Sequence, residues 1–260
     1  MHATDNRLMK NLRPETLGML QRIEALSGRP VEFKPDGALT LRATLQLARN
    51  GAASHVLRYR PTNEPLDYWV AYQAGYLLRL LELPPAERFD FAGTGIAPGQ
   101  VEELLATGQP QADDARSTLT QFAEMTAHWA MLNLRSYAIG MRIDVWLADE
   151  HPELRALQTA GMDSLQQENV QLLSKRMGKM SIPVPLLGPV AAYALFADRL
   201  LGKTTYAIPY RAAGVLDLGA ELLAKLDKVP SGAAHDRELV DAWASAIGMT
   251  GWYAWIPYKP

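Results

Sequence analysis

Apolar residues in the first sixty positions have first helical and then strand-like spacing. Residues 15–27 place Leu17, Leu20, Ile23 and Leu26 on one side of a helix. Gly28 and Pro30 then end that helix. Three segments that follow have the alternation of short strands, and turn sequences separate them. The predicted strands are residues 31–33, 39–47 and 55–60. Together they predict a small antiparallel or mixed sheet behind one helix.

Helical spacing dominates the rest of the chain. A helix is predicted for residues 64–83, and a long helical region for about 113–175. Breaks in that region are expected near Gly140, Pro152 and Gly161. Further helices are predicted around 189–201, 211–228 and 236–247, before an aromatic tail at 248–260. The predicted fold class is α+β, with a small N-terminal three-stranded sheet, an active-site-type helix and a mostly helical C-terminal half.

This order of elements also predicts a domain organisation. Residues 1–84 are expected to form a helix-sheet-helix unit, and 85–112 a connecting segment with one short helix around 98–107. Residues 113–260 are expected to form a helical region that packs with the first unit as one compact body.

Composition and charge narrow the function classes. The net charge of −2 argues against direct binding of nucleic acid. The absence of cysteine excludes disulfides and thiolate metal sites and fits a reducing cytoplasm. The first fifteen residues lack the apolar core of a signal peptide. The most apolar run, 182–197, contains three prolines and is shorter than a membrane span. A cytoplasmic protein without membrane contact is therefore expected.

The helix predicted for residues 64–83 contains the pentad Tyr72-Gln73-Ala74-Gly75-Tyr76, which has the frame of H-E-x-x-H. In that motif two histidines one turn apart bind zinc, and the glutamate activates the metal-bound water. Neutral tyrosine is a poor zinc ligand, and glutamine cannot act as a general base. The pentad therefore predicts no metal, no cofactor and no catalytic residue. An ordinary apolar stripe explains the same spacing, formed by Leu66, Trp69, Val70, Gln73, Tyr76, Leu77 and Leu80.

The strand, turn and helix of residues 55–83 add context to this pentad. In that order, with "VAYQAGYLL" as the helix, the segment resembles the ImmA/IrrE-type metallopeptidases and the wider zincin fold. The resemblance covers roughly residues 15–83. It implies a fold in which an edge strand precedes the active-site helix. Members of that family cleave repressor proteins in stress and mobile-element responses. Because the pentad lacks the zinc ligands and the general base, the resemblance implies a regulatory binding role without cleavage.

The resemblance also implies a third ligand position on a later helix. Residues 141–158 are rich in acids, and among these acids Asp144 is the one flanked by apolar residues on both sides. A buried carboxylate there needs a partner, which Arg142, Arg155 or Tyr76 could supply. A capped helix end is the alternative explanation of the acidic segment. The former active-site cleft is thus expected to be lined by Trp69, Tyr72, Gln73, Tyr76, Asp144 and His151.

The leading hypothesis is a catalytically silent, zincin-like protein that binds a protein or peptide partner, or a small molecule, in this cleft. A second hypothesis is a metal-independent enzyme whose site collects Tyr72, Tyr76, Asp144 and His151. A metal site assembled from His55, His128 and His151 with an acid also stays open. A third hypothesis is a helical scaffold that forms a homo-oligomer through its aromatic tail, since Trp and Tyr are frequent in interface hot spots. The same tail could instead pack against the body of the protein.

Overall fold

A computed structural model describes residues 12–39, 41–61, 66–106, 113–174, 176–177 and 180–260. The helices are α1 Pro14–Ser27, α2 Asp67–Leu81, α3 Ala97–Ala106, α4 Asp113–Glu150, α5 Arg155–Leu172, α6 Gly188–Leu201, α7 Ile208–Ala212, α8 Leu216–Lys228 and α9 Asp236–Ala246. The strands are β1 Val31–Pro35, β2 Ala43–Gln46, β3 His55–Tyr59, β4 Phe89–Gly93, β5 Arg176–Met177, β6 Met180–Ser181 and β7 Tyr253–Pro257. The α+β class is confirmed, with a three-stranded sheet first and a mostly helical second half.

The N-terminal sheet is mixed, with strand order β1-β3-β2. β1 and β3 are parallel, and Val31 pairs with His55. β2 and β3 are antiparallel, and Ala43 pairs with Tyr59. β2 is therefore an edge strand, and it is shorter than the predicted 39–47 because the chain enters it only after a turn that leaves Leu41 exposed.

The long helical region is interrupted at one of the three predicted positions. Gly140 lies buried within α4, and Gly161 lies within α5. The break occurs at Pro152, where His151 leaves helical geometry before a short 3-10 turn. The predictions of a helix break at Gly140 and Gly161 were therefore wrong, since both glycines lie inside a continuous helix.

The chain divides into two compact units. The first comprises the described residues up to Asp90 together with Arg142–Gly161 and Pro257–Pro260. The second comprises the described residues of Phe91–Met141 and Met162–Ile256. Both α4 and α5 contribute to each unit.

Residues 85–112 contain a strand in addition to the predicted short helix. β4 pairs with β7, which lies in the aromatic tail. Thr94 N donates to Trp252 O at 3.0 Å and Tyr258 N donates to Arg88 O at 2.9 Å, so the two strands run antiparallel. Residues 107–112 lie outside the described part of the chain.

The second unit is organised around α6. Tyr193 is fully buried and stacks on Tyr137 with ring centroids 4.7 Å apart. Gly219 of α8 allows a close approach, because a Cβ there would lie 2.8 Å from Ala191. Within the described residues, one window passes the length and hydropathy test for a membrane span. This window, Val184–Leu201, is 61% buried inside the protein, as a core helix would be.

The turn between α6 and α7 is held by an aspartate. Asp198 accepts the backbone N–H groups of Tyr206 and Ala207, both at 3.1 Å. Both residues directly precede α7. Asp198 therefore fixes the turn that leads into this helix.

Candidate functional site

The pentad lies in the middle of α2, and its side chains make structural contacts. Tyr72 is 8% exposed, whereas Gln73 and Tyr76 are half-buried. Gln73 Nε2 donates to the carbonyl oxygen of Ala43 at 3.3 Å. Gln73, which stands where the motif has its general base, therefore connects α2 to the edge strand β2 through a hydrogen bond.

The tyrosines of α2 belong to an aromatic cluster formed by Tyr68, Trp69, Tyr72 and Tyr76. Tyr72 meets Tyr76 edge-on with centroids 5.5 Å apart, and Tyr68 lies 5.8 Å from Tyr72. The Arg42 guanidinium lies 5.3 Å from the Trp69 ring centroid, within cation–π range. Three of the predicted site residues are thus brought together, but Trp69 and Tyr72 are packed rather than open to solvent.

Asp144 of α4 is completely buried, as the apolar residues around it predicted. Tyr68 donates its hydroxyl to Asp144 Oδ1 at 2.9 Å, and Gln158 Nε2 donates to the same oxygen at 3.1 Å. Arg155 reaches this group through Gln158, whose Oε1 accepts from Arg155 Nη1 at 3.2 Å. Tyr68 and Gln158 were not predicted from the sequence. The position of Tyr68, four residues before Tyr72 on one helix face, is the signal that could have found it.

Two glycines bring α4 and α5 close to α2. A Cβ at Gly75 would lie 2.6 Å from Ile143 Cγ2. A Cβ at Gly161 would lie 2.3 Å from Tyr68 Cδ1. Gly75 is the fourth residue of the pentad, directly before Tyr76. In the structure its lack of a side chain makes room for α4.

His151 lies at the end of α4 and contacts a different set of groups. Its Nδ1 is 3.3 Å from Glu153 Oε1, and its ring meets Trp146 edge-on at 4.9 Å. The structure therefore places His151 at a helix end, whereas Asp144 is held in the core.

The remaining histidines have contrasting environments. His55 is fully buried, and its Nδ1 accepts the Ala48 N–H at 3.0 Å. His128 is exposed on α4. Within the described residues, no group of three or more His, Asp or Glu side chains is placed to hold a metal ion.

A cleft of about 160 Å³ lies in the first unit, next to α2. Its lining residues are Arg22, Gly75, Leu78, Arg79, Glu82, Ile143 and Trp146. At 100° per residue, this side of α2 lies roughly 100° around the helix from the side that carries Trp69, Tyr72 and Tyr76. Arg22 and Glu82 form an ion pair of 2.9 Å at its edge, with both side chains largely exposed. Sequence reasoning did not find this cleft, because it depends on how α1, α2 and α4 pack.

The aromatic tail is mostly integrated into the fold. Trp252 and Tyr258 are buried. Tyr253 stacks on Phe91 at 4.3 Å, and the Tyr253 hydroxyl and Trp255 Nε1 both donate to Asp241. Packing of the tail against the protein, one of the two predicted roles, is therefore observed, whereas its role in a homo-oligomer stays a prediction.

Comparison of this chain with protein-family models, curated proteins and solved structures found no significant match.

Proposed function

We propose that this chain is a non-catalytic binding protein of zincin-like ancestry. On this proposal, the cleft beside α2 binds a ligand that joins a carboxylate to an apolar group. The cleft itself is the observation that carries the proposal, because its lining combines two arginines with the apolar residues Leu78, Ile143 and Trp146. A carboxylate could meet the arginines while its apolar neighbour covers these apolar residues.

The absence of catalysis is supported by the contacts of the pentad. Gln73 is hydrogen bonded to Ala43, and Tyr72 is packed among aromatic rings. Asp144, the candidate for a third ligand, accepts two side-chain hydrogen bonds in the core. The sheet is mixed, with the antiparallel edge strand β2 beside α2, which supports the zincin-like ancestry. The strand that directly precedes α2 in the chain, β3, is however the central strand and not the edge strand that the resemblance implied.

The size of the cleft limits the ligand. Pockets for drug-sized ligands have volumes of about 300–1,000 Å³, and this one is smaller. It suits one side chain of a peptide or a small carboxylic acid. A ligand carboxylate can replace Glu82 as the partner of Arg22, because breaking an exposed ion pair of this kind costs at most about 1 kcal/mol.

Binding is tested with N-acetyl-leucine and N-acetyl-phenylalanine, each compared with its uncharged amide, by NMR chemical-shift titration. The acids are expected to bind roughly 10- to 150-fold more tightly than the amides, since a charge-assisted hydrogen bond contributes about 1.5–3 kcal/mol. Arg79→Gln is expected to remove this preference. Arg58→Gln, which removes an exposed arginine of β3, is the matched control and should leave binding unchanged. Equal binding of acid and amide, or full binding by Arg79→Gln, would overturn the ligand class.

The non-catalytic part is tested separately by metal analysis on protein purified without chelator or metal-affinity tag. Substoichiometric zinc, manganese and iron, together with no cleavage of an unfolded protein substrate, is the expected result. A stoichiometric metal with hydrolysis would overturn it, whatever the outcome of the binding titration.

A further inference from the structure

His55 and Tyr258 hold the two polar groups of one residue, Ala48. The Ala48 N–H donates to His55 Nδ1 at 3.0 Å, and the Ala48 carbonyl accepts the Tyr258 hydroxyl at 2.6 Å. Ala48 and the side chains of His55 and Tyr258 are all buried, and all three residues belong to the first unit. A movement of Ala48 would therefore disturb both hydrogen bonds together.

Residues 257–260 are attached to the turn that follows Ala48 in the chain. Besides the Tyr258 hydroxyl, Tyr258 N donates to Arg88 O at 2.9 Å, and Asn50 N approaches Lys259 O at 3.5 Å. The turn itself contains Asn50 and Gly51, which both have positive φ. Such a turn is a suitable hinge, because its backbone has already left strand geometry after Gln46 and makes no regular ladder there.

The hydrogen bond from Ala48 defines the protonation state of His55. Since Nδ1 accepts a hydrogen bond, it has no proton, and the neutral ring carries its proton on Nε2. Nε2 is buried and has no hydrogen-bond partner within the described residues. A second proton would have to enter at Nδ1. It would then place an N–H group against the N–H of Ala48 and create a charge without a partner.

We propose that His55 is a proton-sensitive latch that keeps residues 257–260 attached to the turn at Ala48 near neutral pH and releases them in mild acid. Protonation removes the acceptor of the Ala48 N–H, the turn moves at Asn50 and Gly51, and the Tyr258 hydroxyl loses its acceptor. The neutral ring and the closed turn thus stabilise each other.

The surrounding charges favour release. The charged and titratable groups around the turn are Arg29, Arg49, Arg88, Asp90, Tyr258 and Lys259. Asp90, the carboxylate among these groups, lies 2.8 Å from Arg49 and is paired with it. Burial and the nearby Arg29 guanidinium lower the pKa of His55 from its ordinary value of 6.5. Burial raises the pKa of Tyr258, whose hydroxyl therefore stays protonated and can donate at neutral pH.

The sign of the effect follows from this lowered pKa. We call the protein closed when residues 257–260 are attached to the turn and open when they are released. As the pH falls through 6.5, His55 is protonated in the open state, whereas its lowered pKa keeps it neutral in the closed state. The closed state is therefore fully stable above that pH and loses stability below it. Because one proton is involved, the ratio of open to closed states changes at most about tenfold per pH unit.

Hydrogen–deuterium exchange on the full chain at pH 7.5 and pH 5.0 tests the latch, with protection factors corrected for the intrinsic rate at each pH. The amides of Ala48, Asn50 and Tyr258 are expected to lose protection at pH 5.0. The amides in the middle of α2 should keep theirs. Unchanged protection at Ala48 and Tyr258, or an equal loss in α2, would overturn the proposal.

Variants assign the effect to one histidine. His55→Asn places an amide oxygen where Nδ1 accepts and cannot be protonated, so protection at Ala48 should be independent of pH. His235→Asn removes an exposed histidine of the second unit and should keep the wild-type pH dependence. Tyr258→Phe should release residues 257–260 at both pH values. An acid-induced loss that persists in His55→Asn, or disappears in His235→Asn, would refute the latch.

Discussion

Replacing Gly161 with alanine tests how closely α5 approaches α2. The added Cβ would lie 2.3 Å from Tyr68 Cδ1 and 3.3 Å from Trp69 Cζ2, so the Tyr68 ring has to move. That ring ends in the hydroxyl that donates to Asp144 at 2.9 Å. The substitution therefore strains the packing and also weakens a hydrogen bond to a buried carboxyl group.

Three contributions determine the size of the effect. Alanine in place of glycine stabilises a helix by about 1 kcal/mol. Overpacking a well-packed site costs about 1–3 kcal/mol. Loss of the hydrogen bond to Asp144 costs about 1–3 kcal/mol more. The expected net loss is about 1–5 kcal/mol, which lowers the Tm by roughly 2–20 °C in a protein of this size.

Thermal unfolding followed by circular dichroism measures this change, and Gly18→Ala is the matched control. Gly18 is exposed within α1, and a Cβ there would have no atom within 4 Å. That variant should gain up to about 1 kcal/mol. If Gly161→Ala is as stable as Gly18→Ala, the close contact between Gly161 and Tyr68 does not exist as described.

Two further substitutions examine single hydrogen bonds, again by thermal unfolding. Tyr68→Phe should destabilise the protein by about 1–3 kcal/mol and should not add fully to Gly161→Ala, because both act on Asp144; full additivity would contradict a shared cause. Asp198→Ala should cost about 0.5–1.5 kcal/mol for each of the two hydrogen bonds that the N–H groups of Tyr206 and Ala207 lose, whereas an unchanged Tm would show that these hydrogen bonds are dispensable.

Local patterns predicted the elements around the pentad well. α2 runs from Asp67 to Leu81 within the predicted 64–83, because its apolar stripe and the prolines after it are local signals. The burial of Asp144 followed equally from its apolar neighbours in sequence. Both features depend on residues within two turns of each other.

The remaining features depend on partners that are distant in sequence. Gly161 looks like a helix break until the Tyr68 ring against it is known. The alternating pattern around Leu41 predicts strand, but Arg42 is buried and placed over Trp69. The cleft needs residues from α1, α2 and α4, and no pattern within one segment contains that information.

The first unit is built from chain segments that are far apart in sequence, and this affects how it folds during synthesis. Its sheet is complete once β3 has been made, but Arg142–Gly161 and Pro257–Pro260 follow much later. At a synthesis rate of about 5–20 residues per second, the last of these residues follow Asp90 by roughly 10–30 s. Asp144, which accepts the Tyr68 hydroxyl, follows Asp90 by roughly 3–11 s, and Tyr258, which donates to Ala48, follows by roughly 10–30 s. The nascent chain therefore exposes the aromatic face of α2, and chaperones that bind apolar segments would have access to it.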